Sequence, residues 1–383
     1  MLGYILVSMP LPEKALIAEI RRVAARSGRG SGGSFKDRTA GFSTSRDRPP
    51  AGTPAPLEMT KRKGGHRLTG DVVAGIGDDC AVLRFASGNE ILVTTDFSLE
   101  GIHFRREWHP AEAVGHRCLA RGLSDIAAMG GEPVAAFLSL ALPRQLPQAW
   151  VRRFVRGLIG LAERYGVTLA GGDTAESPDG VLADIIVVGS APRGKAVRRS
   201  GARAGDRIFV SGELGESAAA LVKFSTQYPV PSTQKKGPWR RLNPRDYPRH
   251  FCPEPRIEVG RVLRERGLVS AMIDLSDGLS TDLAHICEES GVGAEIRSEF
   301  VPRARAGKPR REVDLELALH GGEDYELLFT APAGKRIPHQ IGGVALTQIG
   351  VVTRARGIVV RNEKGVGYEL EARGWEHFSS PES

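Results

Sequence analysis

The segment Ile273-Asp274-Leu275-Ser276-Asp277-Gly278-Leu279 places two carboxylates three residues apart, with a hydroxyl beside the second. Apolar Ala271, Met272 and Ile273 lead in as a strand, and Leu279, Leu283 and Ile286 follow at helical spacing. Carboxylates at a strand-to-helix junction can hold hard cations beside a helix N-terminus, which itself favours anions. That pairing suits chemistry on phosphates with Mg²⁺. The competing reading is an Asp that caps the helix, with a solvated neighbour.

Further acids recur at the ends of expected elements. Asp78 and Asp79 lie in Gly-Ile-Gly-Asp-Asp before apolar Ala81-Val82-Leu83, Asp96 follows Thr94 and Thr95 at a strand end, and Asp173 follows Gly171-Gly172. Asp125 sits late in an apolar helix, where a negative charge opposes the helix dipole; the alternative is a surface pair with Arg121 four residues earlier. Gly321-Gly322-Glu323-Asp324 precedes another strand, and its two glycines allow a close backbone approach. Mg²⁺ takes oxygen ligands and is commonly shared between a few carboxylates and substrate phosphates. His103, His109 and His116 lack zinc spacing.

The elements that must position these groups alternate between strands and helices. Strands are expected at 91–95, 134–142, 167–170, 182–189, 207–211, 325–330 and 348–352. Helices are expected at 111–129, 148–165, from about 217, and 256–266. A polar loop is expected to carry Gly-Gly-Asp-Thr, and basic loops to occupy 226–255 and 302–312. This mixture reads as α/β (α+β), in two domains. A helix is expected over Pro12–Arg26, and 27–66 reads as a flexible linker rich in Gly, Ser, Pro and basic residues. The divisions are therefore 1–66, 67–192 and 193–383.

The chain has 383 residues and a formal net charge of +8. Residues 1–67 hold 13 Lys/Arg and 5 Asp/Glu, so the whole excess lies there and the remainder is balanced. A neutral body without aromatic-interleaved basic patches argues against a nucleic-acid-binding protein. No apolar run is long enough for a membrane span, and the N-terminus lacks the basic start of a signal peptide. Cys80, Cys118, Cys252 and Cys287 form no CxxC or zinc pattern, which fits free thiols in the cytoplasm. There is no Walker A sequence; Gly212-Glu213-Leu214-Gly215-Glu216-Ser217 lacks the Lys and reads as a helix cap. No Gly-x-Ser-x-Gly elbow or His-Glu-x-x-His motif is present.

Taken together, GIGDD, TTD followed by EGIHF, LSDIAAMG, LSLALP, GGDT, RSGA followed by GD, GELGESAAAL, IDLSDGL and GGEDYELLFT occur in that order. The set resembles the thiamine-monophosphate kinase family, within the aminoimidazole-ribonucleotide-synthetase-like superfamily, over about residues 72–378. GGEDYELLFT and Arg373-Gly374-Trp375 favour the kinase over its sister synthetases, and the absence of Cys in 27–66 counts against a selenophosphate synthetase.

The resemblance implies a PurM-like architecture in a homodimer, with N-terminal domains pairing into a β-barrel and ATP near that interface. It implies ATP-dependent phosphorylation of thiamine monophosphate to thiamine diphosphate. It further implies Mg²⁺ ions on Asp79, Thr94, Thr95, Asp96, Asp125, Asp173, Asp274 and Asp277. Nucleotide contacts would come from Gly172, Asp173, Arg199 and Ser276, and substrate contacts from His103, Glu323 and Trp375. The acceptor is already an anionic phosphate, so positioning and charge neutralisation are required and no strong general base is assigned. Two positions depart from the family pattern. Gly122 stands where Asn commonly precedes Leu-Ser-Asp, and Ala175-Glu176 where Thr-Arg often follows Gly-Gly-Asp-Thr; the latter bears on phosphate contacts.

Overall fold

The computed structural model describes residues 70–74, 81–227 and 242–374. The helix expected over 12–26 and the linker over 27–66 lie outside the described residues, as do Asp79, Trp375 and much of the basic loop at 228–241.

The strands are β1 (Gly70–Ala74), β2 (Val82–Phe85), β3 (Asn89–Leu99), β4 (Glu132–Pro143), β5 (Thr168–Ser177), β6 (Leu182–Pro192), β7 (Arg207–Ser211), β8 (Ala271–Asp274), β9 (Gly293–Arg297), β10 (Arg305–Ala306), β11 (Arg311–Glu312), β12 (Leu327–Ala331), β13 (Gln340–Ile341), β14 (Val344–Thr353), β15 (Ile358–Arg361) and β16 (Gly367–Glu369). The helices are α1 (Ala111–Ala128), α2 (Gln148–Tyr165), α3 (Glu216–Gln227), α4 (Pro248–Phe251), α5 (Ile257–Glu265), α6 (Leu279–Ser290) and α7 (Leu315–His320).

They build a mixed α/β fold around two main sheets. The first sheet runs β3-β6-β4-β5, antiparallel except for the parallel β4–β5 pair. The second runs β16-β15-β9-β14-β7-β12-β8, with β13 added on β14. Along β3 the side chains alternate: Leu92, Thr94, Asp96 and Ser98 turn inward, while Ile91, Val93, Thr95 and Phe97 face outward and are exposed. The larger core joins α1 and α2 to Phe209, Met272, Leu327 and Phe329 of the second sheet. Helix α1 is buried nearly all round, so its polar residues must find partners inside the protein.

Three expectations are corrected. Gly-Gly-Asp-Thr is not a loop: β5 continues through it to Ser177, paired in parallel with β4, with Asp173 opposite Ser139. Gly172 permits this, because a Cβ there would stand 1.9 Å from the Leu138 carbonyl oxygen. The 242–255 part of the basic loop contains the single turn α4, begun by a proline at a helix start. The 302–312 loop holds the short antiparallel pair β10–β11.

Candidate active site

Helix α1 is the spine of the site. Arg117, Arg121 and Asp125 stand four residues apart and share one face. At the C-terminal end, Asp125 accepts a hydrogen bond from the Thr94 hydroxyl of β3. Asp96, two residues along β3 on the same face, is within hydrogen-bond reach of Asp125, so each carboxyl bears on the ionisation of the other. Ser124 donates at 2.7 Å to Asp274 at the end of β8. Three carboxylates from three elements thus meet, Asp274 buried and Asp96 and Asp125 half-buried.

Burial first, and neighbouring carboxylates second, disfavour ionisation across the cluster. Burial, then the charge of Asp125, pushes Asp96 up to about 7. Burial and Asp125 do the same to Asp274, also to about 7. Burial raises Asp125 as well, against the hydrogen bond from Thr94 and the positive charge of Arg199. Exposed Arg199 lowers both Asp125 and Asp274, and Arg121 lies 3.8 Å from Asp96. These cations do not offset the carboxylates. The donor set is entirely oxygen, which is the chemistry of a Mg²⁺ site rather than of zinc.

The other end of the spine is built by two motifs stacked backbone to backbone. Glu323 N–H donates to the Ser276 carbonyl at 2.8 Å and Tyr325 N–H to the Leu275 carbonyl at 2.9 Å. A Cβ on Gly322 would come within 2.5 Å of the Ser276 carbonyl oxygen, which is the close approach anticipated for the paired glycines. Glu323 and Tyr325 both adopt positive φ, 64° and 51°, so the strand begins only at Leu327. Such conformations cost on the order of 1–3 kcal/mol each for non-glycine residues and concentrate at functional sites.

The result aims Glu323 at Arg117, 2.6 Å away. Burial would raise the Glu323 carboxyl, but Arg117 and then Arg121 hold it below the usual range. Arg117 is itself fixed by the carbonyls of His250 and His103, at 2.8 and 3.3 Å. His103 accepts the Leu99 N–H at Nδ1, 3.0 Å, which leaves Nε2 as the ring's donor.

The expected site residues therefore fall into groups. Thr94, Asp96, Asp125 and Asp274 are gathered, with Arg199 near them. His103 and Glu323 are gathered around Arg117. Asp277 lies with Asp282 and His285, their potential ligand atoms within 4.8 Å of one another. Ser276 is half-buried and contributes its carbonyl to the motif contact. Thr95 is not brought to the cluster: its hydroxyl donates to Asp184 on the opposite face, 2.7 Å away. Gly172 and exposed Asp173 lie on β5, three strand spacings or about 14 Å from β3 across the sheet.

The helix cap is also not the one expected. Gly278 is the cap residue of α6, and buried Asp282 accepts the Asp277 and Gly278 N–H groups at 3.1 and 3.0 Å. Arg117 was missed by the sequence reading, although its spacing to Arg121 and Asp125 was a usable signal. Glu176, at one departure from the family pattern, pairs with Arg144 at 3.0 Å on the surface.

Known proteins resemble this chain over both of its sheets. Residues 77–191 match the family model "AIR synthase related protein, N-terminal domain", and 203–362 match its C-terminal domain. The thiamine-monophosphate kinase of Salmonella typhimurium is 37% identical over 322 residues, covering 81% of this chain and 94% of that protein. The crystal structure of thiamine-monophosphate kinase from Stenotrophomonas maltophilia is 34% identical with a TM-score of 0.64, covering 76% of this chain and 91% of that one. A structure of AaThiL complexed with AMPPCP and TMP is 33% identical with a TM-score of 0.64, covering 76% and 89% respectively.

Proposed function

The chain belongs to the thiamine-monophosphate kinase family, and we propose how its residues perform that activity. The reaction transfers the γ-phosphoryl group of ATP to thiamine monophosphate, giving ADP and thiamine diphosphate. The observation that carries the mechanism is the gathering of Asp96, Asp125 and Asp274 from three elements, with Thr94 and Ser124 bonded to two of them. It lies two helical steps along α1 from the Arg117–Glu323 pair.

Asp96, Asp125 and Asp274 would hold Mg²⁺, with Thr94 orienting Asp125 and Ser124 orienting Asp274. When bound, Mg²⁺ neutralises and aligns the phosphate oxygens of donor and acceptor. Arg199 meets the ATP phosphates from the exposed side, aided by Ser276. Glu323 and His103 receive the organic end of thiamine monophosphate, and the Arg117 contacts keep Glu323 ionised and fixed. The acceptor oxygen is already an anion, so these residues position it and no side chain removes a proton. Asp277 extends the cation-binding wall. Asp79 and Trp375, outside the described residues, keep the metal and substrate roles that the resemblance implies, with Trp375 able to stack on the cationic thiazolium.

A homodimer accounts for the residues left apart. Strands β3 and β5 are the two edges of the first sheet among the described residues, and Ile91, Val93 and Phe97 are 55%, 66% and 53% exposed on its outer face. A second copy would cover that face and bring its own β5, with Gly172, Asp173 and the Thr95 side of the sheet, into a shared nucleotide site. The proposed division at 67–192 and 193–383 is supported by the gap between β6, the last strand of the first sheet, and β7 of the second. A reducing, cytoplasmic setting accords with Cys118, Cys252 and Cys287, all free. Among the described residues no helix is long and apolar enough to cross a membrane.

The test is Asp277→Asn. Asp277 adds to the charge that keeps the Asp282 carboxyl raised, so its neutralisation relieves repulsion and leaves folding intact. The variant is expected to melt at or above the wild-type temperature and to release no ADP with ATP, Mg²⁺ and thiamine monophosphate. Near-wild-type turnover would reject the cation role.

A further inference from the structure

We infer that the Arg121 guanidinium binds the phosphate group of the acceptor, the group whose oxygen attacks ATP; this rests on the kinase reading above. The first ground is position. Residues four apart on a helix advance about 6 Å along its axis. Arg117 is committed to Glu323, where the organic part of the acceptor is received, and Asp125 belongs to the carboxylate cluster. Arg121 stands midway, and both Glu323 and Asp96 act on its charge. A phosphate monoester reaching from Glu323 toward the carboxylates must pass this guanidinium.

The second ground is an unmet hydrogen-bonding requirement. Arg121 is 15% exposed at its side chain, yet its Nε is buried and makes no hydrogen bond among the described residues. Its ion pair with Asp96, at 3.8 Å, is longer than a hydrogen bond. Arg117, one turn earlier, is by contrast bonded to Glu323 and to the carbonyls of His250 and His103. A buried donor without an acceptor is destabilising, and a planar guanidinium fits two oxygens of a phosphate. Its permanent charge also offsets repulsion between two anionic phosphates before transfer. In the transfer, the acceptor oxygen bonds to the γ-phosphorus while the bond to the β–γ bridging oxygen breaks. ADP leaves with that electron pair, and Arg121 stays protonated throughout.

The test compares calorimetric binding of thiamine monophosphate and unphosphorylated thiamine to full-length wild-type, Arg121→Met and Arg121→Lys proteins. The expected result is that Arg121→Met weakens thiamine monophosphate about ten- to hundredfold, the effect of losing a charged hydrogen-bond donor. Thiamine and a non-hydrolysable ATP analogue should bind within about twofold of wild type in the same variant. Arg121→Lys, which retains the charge and guards against misfolding of the Met variant, should lie between. Equal loss for thiamine and its monophosphate would overturn the inference, because Arg121 would then only shape the site. No loss for either, with only the Mg²⁺ requirement changed, would overturn it in favour of a counter-ion for Asp96. Wild-type protein that binds no thiamine monophosphate would overturn the kinase reading itself, and is distinguished by needing no variant.

Discussion

Asp274→Asn should make the metal-free protein more stable while disabling it. Asp274 is 3% exposed, and burial with the charge of Asp125 moves its carboxyl from 3.8 up to about 7. A carboxylate raised in this way binds more protons folded than unfolded between those two values. Stability is therefore full at the acid end, falls as pH rises through the window, and carries the whole penalty above it. At about 1.4 kcal/mol per pKa unit, the ionised group costs the metal-free fold on the order of 4 kcal/mol. Asp96 and Asp125 share the same repulsion, so removing one charge recovers about 2 kcal/mol. Asn keeps an oxygen to accept the Ser124 hydroxyl, so packing is preserved.

The assay is thermal unfolding of wild type and variant at pH 8 and near pH 4, with chelator and with Mg²⁺. At pH 8 in chelator the variant should melt several degrees higher, and near pH 4 the difference should nearly vanish. Mg²⁺ at pH 8 should raise the wild-type midpoint by mass action on the folded state and raise the variant far less. A variant less stable than wild type at pH 8 in chelator, or one equally stabilised by Mg²⁺, would refute the reasoning.

Two further outcomes follow from the same geometry. Glu323→Gln leaves Arg117, 6% exposed at its side chain, without its counter-ion; the expected cost is about 1–3 kcal/mol of stability. In steady-state kinetics the KM for thiamine monophosphate should rise with that for ATP unchanged, and an unchanged acceptor KM would remove Glu323 from the substrate site. Gly122→Asn restores the common family residue but places a Cβ 2.6 Å from Val187 Cγ2. Overpacking should cost about 1–3 kcal/mol in denaturant unfolding. Adding Val187→Ala should recover part of that loss, and a stabilised single variant would show that the contact yields freely.

Much of the local structure was legible in the sequence because local pattern determined it. Helix α2 has the expected bounds, since Val151, Phe154, Val155, Leu158 and Ile159 repeat at helical spacing and Gly166 ends it at φ 67°. Strand β7 was likewise read in full. Asp125 was suspect for a good reason: a carboxylate in a helix buried nearly all round needs a partner, and Thr94 is that partner. What was not legible depends on distant segments. β5 runs through a polar Gly-Gly-Asp-Thr because β4 offers a long parallel edge. Glu323 and Tyr325 take left-handed conformations because Ser276 and Leu275 capture their N–H groups from 47 and 50 residues away. Asp282 rather than Ser276 or Asp277 supplies the side-chain acceptor at the start of α6, because it lies one turn into the helix and reaches back to two amides. Arg117 was passed over because its partners, Glu323 and His250, lie far along the chain.

The central claim is transfer of phosphate to phosphate at this carboxylate site. Its most direct measurement is phosphorus NMR of purified full-length protein with ATP, Mg²⁺ and thiamine monophosphate. Thiamine diphosphate should appear in step with ADP, and neither should form when chelator replaces Mg²⁺ or thiamine replaces its monophosphate. ADP forming without thiamine diphosphate, or neither product from folded protein with all three components present, would contradict it.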